Sequence, residues 1–216
     1  MISPYACDIL IYIVFYLIRS RGYLIHGGVL FMKFHSGAAA VLTAFLLASA
    51  GSAAAEASPY EVQVDSMHHA YFKNRSIDTI SIHVMEPFKE RGTVSFYRGI
   101  TFTRPYGHIT DHGVKRDSSA LGAGPVFMVR MKRSISGKWY GALDAGGGFI
   151  VYDKAFPAGG RAYNFMWRIG PRLVYQAGKN TSVSAGYLFM HVSNGFESRN
   201  PGYNGAGFSL GISSSW

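Results

Sequence analysis

The last run of the chain, Tyr203 to Trp216, constrains the fold more than any other stretch. Ala206, Phe208, Leu210, Ile212 and Trp216 alternate with Gly205, Gly207, Ser209, Gly211, Ser213 and Ser215. A period of two belongs to a β-strand, whose successive side chains leave opposite faces. A soluble sandwich turns its large apolar face inward. Here the second face is small and polar, which suits a narrow interior and sends the large residues outward, the reverse of a soluble β-protein.

The same period recurs along the chain. From Ser58 onward no run of eighteen apolar residues occurs and little 3.6-residue periodicity is present, so the class is all-β. Eight runs emerge: Tyr60 to Ser66, Asp78 to Glu86, Gly92 to Phe102, Ala120 to Lys132, Lys138 to Tyr152, Tyr163 to Gln176, Thr181 to Asn194 and Tyr203 to Trp216. An even number of runs, each near the roughly 9 to 11 residues that cross a bilayer as a tilted strand, predicts an eight-stranded antiparallel transmembrane β-barrel of the outer membrane. Closure satisfies every backbone group, as lipid demands. A lipocalin-like soluble barrel is the rival, and it needs its apolar face inside. The terminal aromatic, Trp216, resembles the residue by which outer-membrane barrels are recognised for assembly.

Three places resist the pattern. Residues 67 to 77, with His68, His69, Lys73 and Arg75, read as a loop, and so do residues 103 to 118, with His108, Asp111, His112, Lys115 and Arg116. Arg98 interrupts an otherwise apolar face formed by Val94, Phe96, Ile100 and Phe102. Arg168 and Arg172 fall on the inner face of their run and need partners such as Asp144, because an unpaired buried charge is costly.

Before the barrel, Met32, Lys33, the apolar stretch Ala38 to Leu47 and the small residues Ala53-Ala54-Ala55 form a secretory signal cut before Glu56. Residues 1 to 31 read as an upstream extension, with a long two-part signal region as the alternative, and 56 to 216 as the barrel. The sole cysteine, Cys7, precedes the barrel, which leaves the mature chain no disulfide and no thiolate metal site. A net charge of +9 suits anionic lipid phosphates, and no nucleic-acid-binding motif accompanies it. His108 and His112 lack further ligands at a metal-site spacing, so neither metal nor cofactor is expected.

One stretch carries chemistry. If His191 is set opposite Asn204, then Phe189 meets Ala206, Tyr187 meets Phe208, Ala185 meets Leu210 and Val183 meets Ile212, and every apolar residue faces the same way. His191, Ser193 and Asn204 then share the outer face near one rim. A serine becomes a nucleophile when a base takes its proton, and a third polar group can orient the imidazole. The same residues also suit a plain polar rim where a strand leaves the membrane, and spacing alone leaves both readings open.

The motif H-V-S-N-G-F-E-S-R-N-P-G-Y-N at 191 to 204, preceded by S-A-G-Y, resembles the signature of the PagL family of lipid A deacylases and their acyloxyacyl hydrolase relatives. The stretches G-G-G-F-I-V-Y-D-K-A-F-P-A-G-G and N-F-M-W-R-I-G-P-R-L-V-Y are similar to it as well. The resemblance implies an outer-membrane barrel that hydrolyses the ester-linked 3-hydroxyacyl chain at the 3-position of lipid A. It also implies His191 as base and Ser193 as nucleophile. The family's pattern has an acid two positions after the glycine of the second motif, where this chain has Asn204, and Glu197 is a substitute in the loop. Asn194, Gly195 and Asn200 are candidate oxyanion donors, and Arg199, Lys115 and Arg116 candidate phosphate contacts. The implied partners are lipid A or lipopolysaccharide and outer-membrane lipid, with no nucleic acid and with a homodimer left open. A catalytically silent structural or adhesive barrel and an acyltransferase on the same lipid are the competing functions.

Overall fold

The computed structural model describes residues 59–195 and 200–214. The signal and extension at 1 to 55, Glu197, Arg199 and Trp216 lie outside the described residues. Nine strands form: β1 (Tyr60–Ala70), β2 (Arg75–Arg91), β3 (Val94–Asp111), β4 (Val114–Asp117), β5 (Gly122–Ser136), β6 (Trp139–Phe156), β7 (Arg161–Gln176), β8 (Thr181–Ser193) and β9 (Tyr203–Ser214). Eight of them close into an antiparallel ring, because β1 pairs with β9 on one side and β2 on the other while β2 pairs onward with β3. The short β4 pairs with the end of β3.

The two regions read as loops are corrected here. β1 runs through His68 and His69, and β2 starts at Arg75, which leaves only residues 71 to 74 as the turn. β3 continues to Asp111 and folds back into β4 through His112 and Gly113, both at positive φ. A two-residue hairpin needs that left-handed backbone at both positions, and glycine after a polar residue supplies it. Alternation fades in these segments because they extend beyond the lipid-facing band, where the outer face meets water and need not be apolar, while Met67, Ile77 and Ile109 still pack inside.

Inside the band the faces divide as the alternation predicts. Outward are Phe127, Trp167, Leu173, Tyr187, Phe208 and Leu210, all exposed. A wall of this kind is tolerated against hydrocarbon and would be costly in water. The interior is filled with side chains in two zones. One holds buried ions: Arg130 Nη1 and Nη2 donate to Glu61 at 2.8 Å each, and its Nε donates to Asp144 Oδ1 at 2.7 Å. Arg172 Nε donates to the other oxygen of Asp144 at 2.6 Å, and Arg168 pairs with Asp65 and donates to Gln63 at 2.8 Å. Asp144 is therefore the partner that the inward arginine Arg172 requires. The second zone, toward the β8–β9 loop, is apolar: Met67, Tyr152, Phe156, Met190, Val192 and Tyr203 are all buried. This packed zone gives the rim of β8 and β9 a rigid backing.

Candidate active site

β8 and β9 pair with His191 opposite Asn204, Phe189 opposite Ala206, Tyr187 opposite Phe208, Ala185 opposite Leu210 and Val183 opposite Ile212. In this register the apolar residues of both strands share the outer face, as the sequence pattern requires. His191 and Ser193, two residues apart, leave the outer face together and are both half-buried. His191 Nδ1 lies 2.6 Å from Asn204 Oδ1. An amide oxygen can only accept, so the imidazole donates Nδ1–H there, which leaves Nε2 as the acceptor nitrogen. On β7, Trp167 stands opposite His191 with ring centroids 5.7 Å apart, and Phe165 stands opposite Ser193. The imidazole thus packs against a tilted indole, 37° out of parallel, and is fixed in tautomer by the amide.

The three residues named as oxyanion donors have a different local role in the resting structure. The Asn194 side chain is buried on the inner face with Val192, as strand parity requires. Its backbone N–H donates to Asn200 Oδ1 at 3.2 Å, and Asn200 Nδ2 donates to the carbonyl of Gly195 at 2.7 Å. Gly195 has φ of +83°, a left-handed backbone that breaks the strand just past Ser193. Asn200 therefore ties the two ends of the loop together and sets the backbone on the C-terminal side of the serine.

Sequence reasoning missed two supports. A Cβ on Gly202 would sit 2.7 Å from the carbonyl oxygen of Val192 and 3.1 Å from Ser193 Cβ, so only glycine lets this strand pass so close to the serine. Arg75, at the start of β2, donates from Nη1 to the Gly202 carbonyl and lies over the Phe72 ring, 4.5 Å from its centroid. Gly202 stands in the N-P-G of the motif, whose spacing does not show how near the strand passes to the serine. Nothing in the sequence marked Arg75, because the contact joins residues 127 positions apart.

At the same rim, Asp78 on β2 accepts the backbone N–H of His69 at 2.9 Å, with the ring Nδ1 atoms of His69 and His68 at 3.1 and 3.4 Å. Burial raises the Asp78 pKa, but these hydrogen bonds and the His68 charge outweigh it and hold the carboxyl below its ordinary range. Lys115 and Arg116 lie exposed on β4, away from the β8–β9 hairpin in the ring order. Among the described residues no cluster of three or more metal-ligating side chains occurs.

A family model described as lipid A 3-O-deacylase (PagL) matches residues 73–213. The chain belongs to the PagL family. Two solved structures align with most of this PagL-family chain. The outer membrane enzyme PagL shares 18% identity and covers 74% of this chain and 100% of its own, with a TM-score of 0.49. Neisserial surface protein A shares 14% identity over 73% of this chain and 97% of its own, with a TM-score of 0.50, a likeness that shows the fold. No curated protein sequence matches the chain. Membership makes the chemistry that of an ester hydrolase acting on lipid A, in an outer-membrane barrel. The matched span contains His191, Ser193 and Asn204, together with Arg75, Trp167, Asn200 and Gly202.

Proposed function

We propose that this PagL-family chain removes the ester-linked 3-hydroxyacyl chain from the 3-position of lipid A as a serine esterase, with Ser193 as nucleophile. The observation that carries the reading is the 2.6 Å contact between His191 Nδ1 and Asn204 Oδ1 on the face that also bears Ser193. It fixes the tautomer a general base needs. Nε2 takes the hydroxyl proton as Ser193 Oγ attacks the ester carbonyl. The tetrahedral intermediate collapses with the C–O bond to the sugar breaking, and His191 returns the proton to the departing sugar hydroxyl. Water, deprotonated by the same imidazole, then splits the acyl-serine and releases the 3-hydroxy fatty acid. The amides of Asn194 and Gly195 and the side chain of Asn200 are the oxyanion donors in this reading; Asn200 exchanges one of its loop bonds for the substrate.

The location suits the substrate. Short turns at residues 92–93 and 137–138 lie at the end opposite the β8–β9 loop, and outer-membrane barrels keep short turns on the periplasmic side. The site then faces the outer leaflet, where lipid A lies beside it and need not leave the membrane. The silent-barrel alternative draws on one feature, the amide at position 204 in place of an acid. Mass spectrometry of lipid A from cells carrying the wild type or Ser193→Ala separates the two. The reading expects loss of one 3-hydroxyacyl chain with the wild type only, and identical spectra from folded, outer-membrane-inserted protein would overturn it.

A further inference from the structure

The end of β1 and the turn after it carry chemistry that the His191–Ser193 pair does not use. His68 opposes Ala206 and Ala70 opposes Asn204, so β1 flanks the hairpin of β8 and β9 on the side away from Trp167. Two contacts fasten the turn there. Arg75 donates to the Gly202 carbonyl, and the Tyr71 ring meets Phe189 on β8 edge-on, 6.2 Å between centroids. Tyr71 has φ of +72°, uncommon for a large side chain, and its ring crosses β9 past the small Ala206 that stands opposite Phe189.

Asp78 gathers two histidines beside this turn. Its carboxylate oxygens lie 3.4 Å from His68 Nδ1 and 3.1 Å from His69 Nδ1. With both Nδ1 edges on one carboxylate, both Nε2 edges face away from it, and among the described residues neither has a partner. The two side chains are 75% and 51% exposed. In its protonated form such a ring keeps Nδ1–H on Asp78 and offers Nε2–H outward. Two outward N–H groups next to Arg75 and the exposed Lys73 suit a phosphate. Asp78 orients the rings and offsets one of the four positive charges.

The depth is also right. β1 begins in the pairing row of Ser214 and Thr181, whereas β2 runs on from Met85, the partner of Glu61, down to the turn at residues 92–93. Tilted strands of this kind shift by about one residue per strand at constant membrane depth, here downward in pairing row from β8 to β2. His68, His69 and Asp78 therefore lie level with His191 and Ser193. At two strands' remove, the histidines are roughly 10 to 12 Å from His191 between α-carbons, a gap that a phosphorylated disaccharide spans. Lys115 and Arg116, on β4 beyond β3, lie farther round the ring. We propose that His68 and His69, oriented by Asp78, bind a phosphate of the lipid A headgroup while its ester lies at Ser193. The proposal rests on lipid A being the substrate, and it assigns a role to residues that precede the span 73–213 matched by the family model.

The test compares lipid A that carries its phosphates with lipid A stripped of them, in zwitterionic detergent micelles. The wild type shows a KM about tenfold lower for the phosphorylated lipid, and in a chain with both His68→Gln and His69→Gln the two KM values converge. Each single exchange loses part of the preference, which covers the case in which the double exchange does not fold. Binding of both lipids to Ser193→Ala barrels, with and without the histidines, reads the same preference without turnover. A wild type that hydrolyses both lipids with one KM overturns the subsite and leaves the hydrolase reading standing. A Ser193→Ala barrel that shows the histidine-dependent preference, from a wild type that hydrolyses neither lipid, overturns the hydrolase reading and leaves the subsite. A preference retained without the histidines overturns the proposal. Phosphatidylglycerol vesicles or inorganic phosphate that displace phosphorylated lipid A as well as lipid A itself does assign the pair to phosphate at large and equally overturn it.

Discussion

Replacing Asn204 by Asp isolates the one feature in which this site departs from the acid its family's motif implies. Asn204 Oδ1 already lies 2.6 Å from His191 Nδ1. Asp has the same shape, so the hydrogen bond and the tautomer persist and only a negative charge is added. That charge sits about 4 Å from the centre of the imidazolium formed as Ser193 attacks, where two unit charges attract by ~4 kcal/mol at an effective dielectric constant of ~20. Both residues are half-buried at a rim open to water, and screening there removes most of the attraction. About 1 to 2 kcal/mol remains, which corresponds to a roughly 5- to 30-fold faster acylation step. Asn204→Ala removes the acceptor as well, frees the imidazole to adopt either tautomer, and lowers the rate by about a hundredfold or more. The assay is single-turnover release of 3-hydroxy fatty acid from lipid A in mixed micelles, with Ser193→Ala as the background. An Asp variant that is folded and no faster than the wild type refutes the electrostatic reasoning, and an Ala variant that matches the wild type refutes the role of Asn204 altogether.

Two further outcomes follow from the surroundings of the site. Gly202→Ala places a methyl group 2.7 Å from the Val192 carbonyl oxygen and 3.1 Å from Ser193 Cβ, so kcat falls at least tenfold while circular dichroism shows an intact barrel. The Asp78 carboxyl is held below its ordinary pKa mainly by hydrogen bonds from His69 and His68, against the opposing effect of burial, so its contribution to stability is fully present above the ordinary carboxylate range and is lost as pH falls through the depressed value. Asp78→Asn is therefore less stable than the wild type by about 0.5 to 1 kcal/mol at pH 7 in urea unfolding, and the gap closes only in strong acid; a gap that is constant with pH would contradict the assignment.

The pairing of His191 with Asn204 was legible in the sequence because it keeps Phe189, Tyr187, Val183, Phe208 and Ile212 all toward lipid, whereas a one-residue slip would turn one strand's set inward. The same parity already sent Asn194 inward and away from Ser193. The interior charges were legible in part: Arg168 and Arg172 had to face inward and find acids, and Asp144 holds Arg172, but Asp65 as the partner of Arg168 and Glu61 as a partner of Arg130 lie on β1, far away in sequence. The outer ends of β1, β2 and β3 were not legible. Past the lipid band the outer face of a strand meets polar surroundings, so only the inner face, with Met67, Ile77 and Ile109, stays apolar, and His68, His69 and His108 look like loop residues even though they sit in strands. Arg98 was legible as an anomaly and obscure as to cause, since an ion pair on the outer face becomes apparent only when Glu86 is seen opposite it.

The central claim is that Ser193 is a nucleophile made reactive by a histidine that an amide holds in place. Reaction of the purified barrel with a long-chain fluorophosphonate, followed by digestion and tandem mass spectrometry, reads this directly. The claim predicts one phosphonylated residue, Ser193, in the wild type, a labelling rate reduced at least a hundredfold in His191→Ala and reduced to a lesser degree in Asn204→Ala. A folded wild type that takes no label, takes it on another serine, or takes it equally fast without His191 would contradict it.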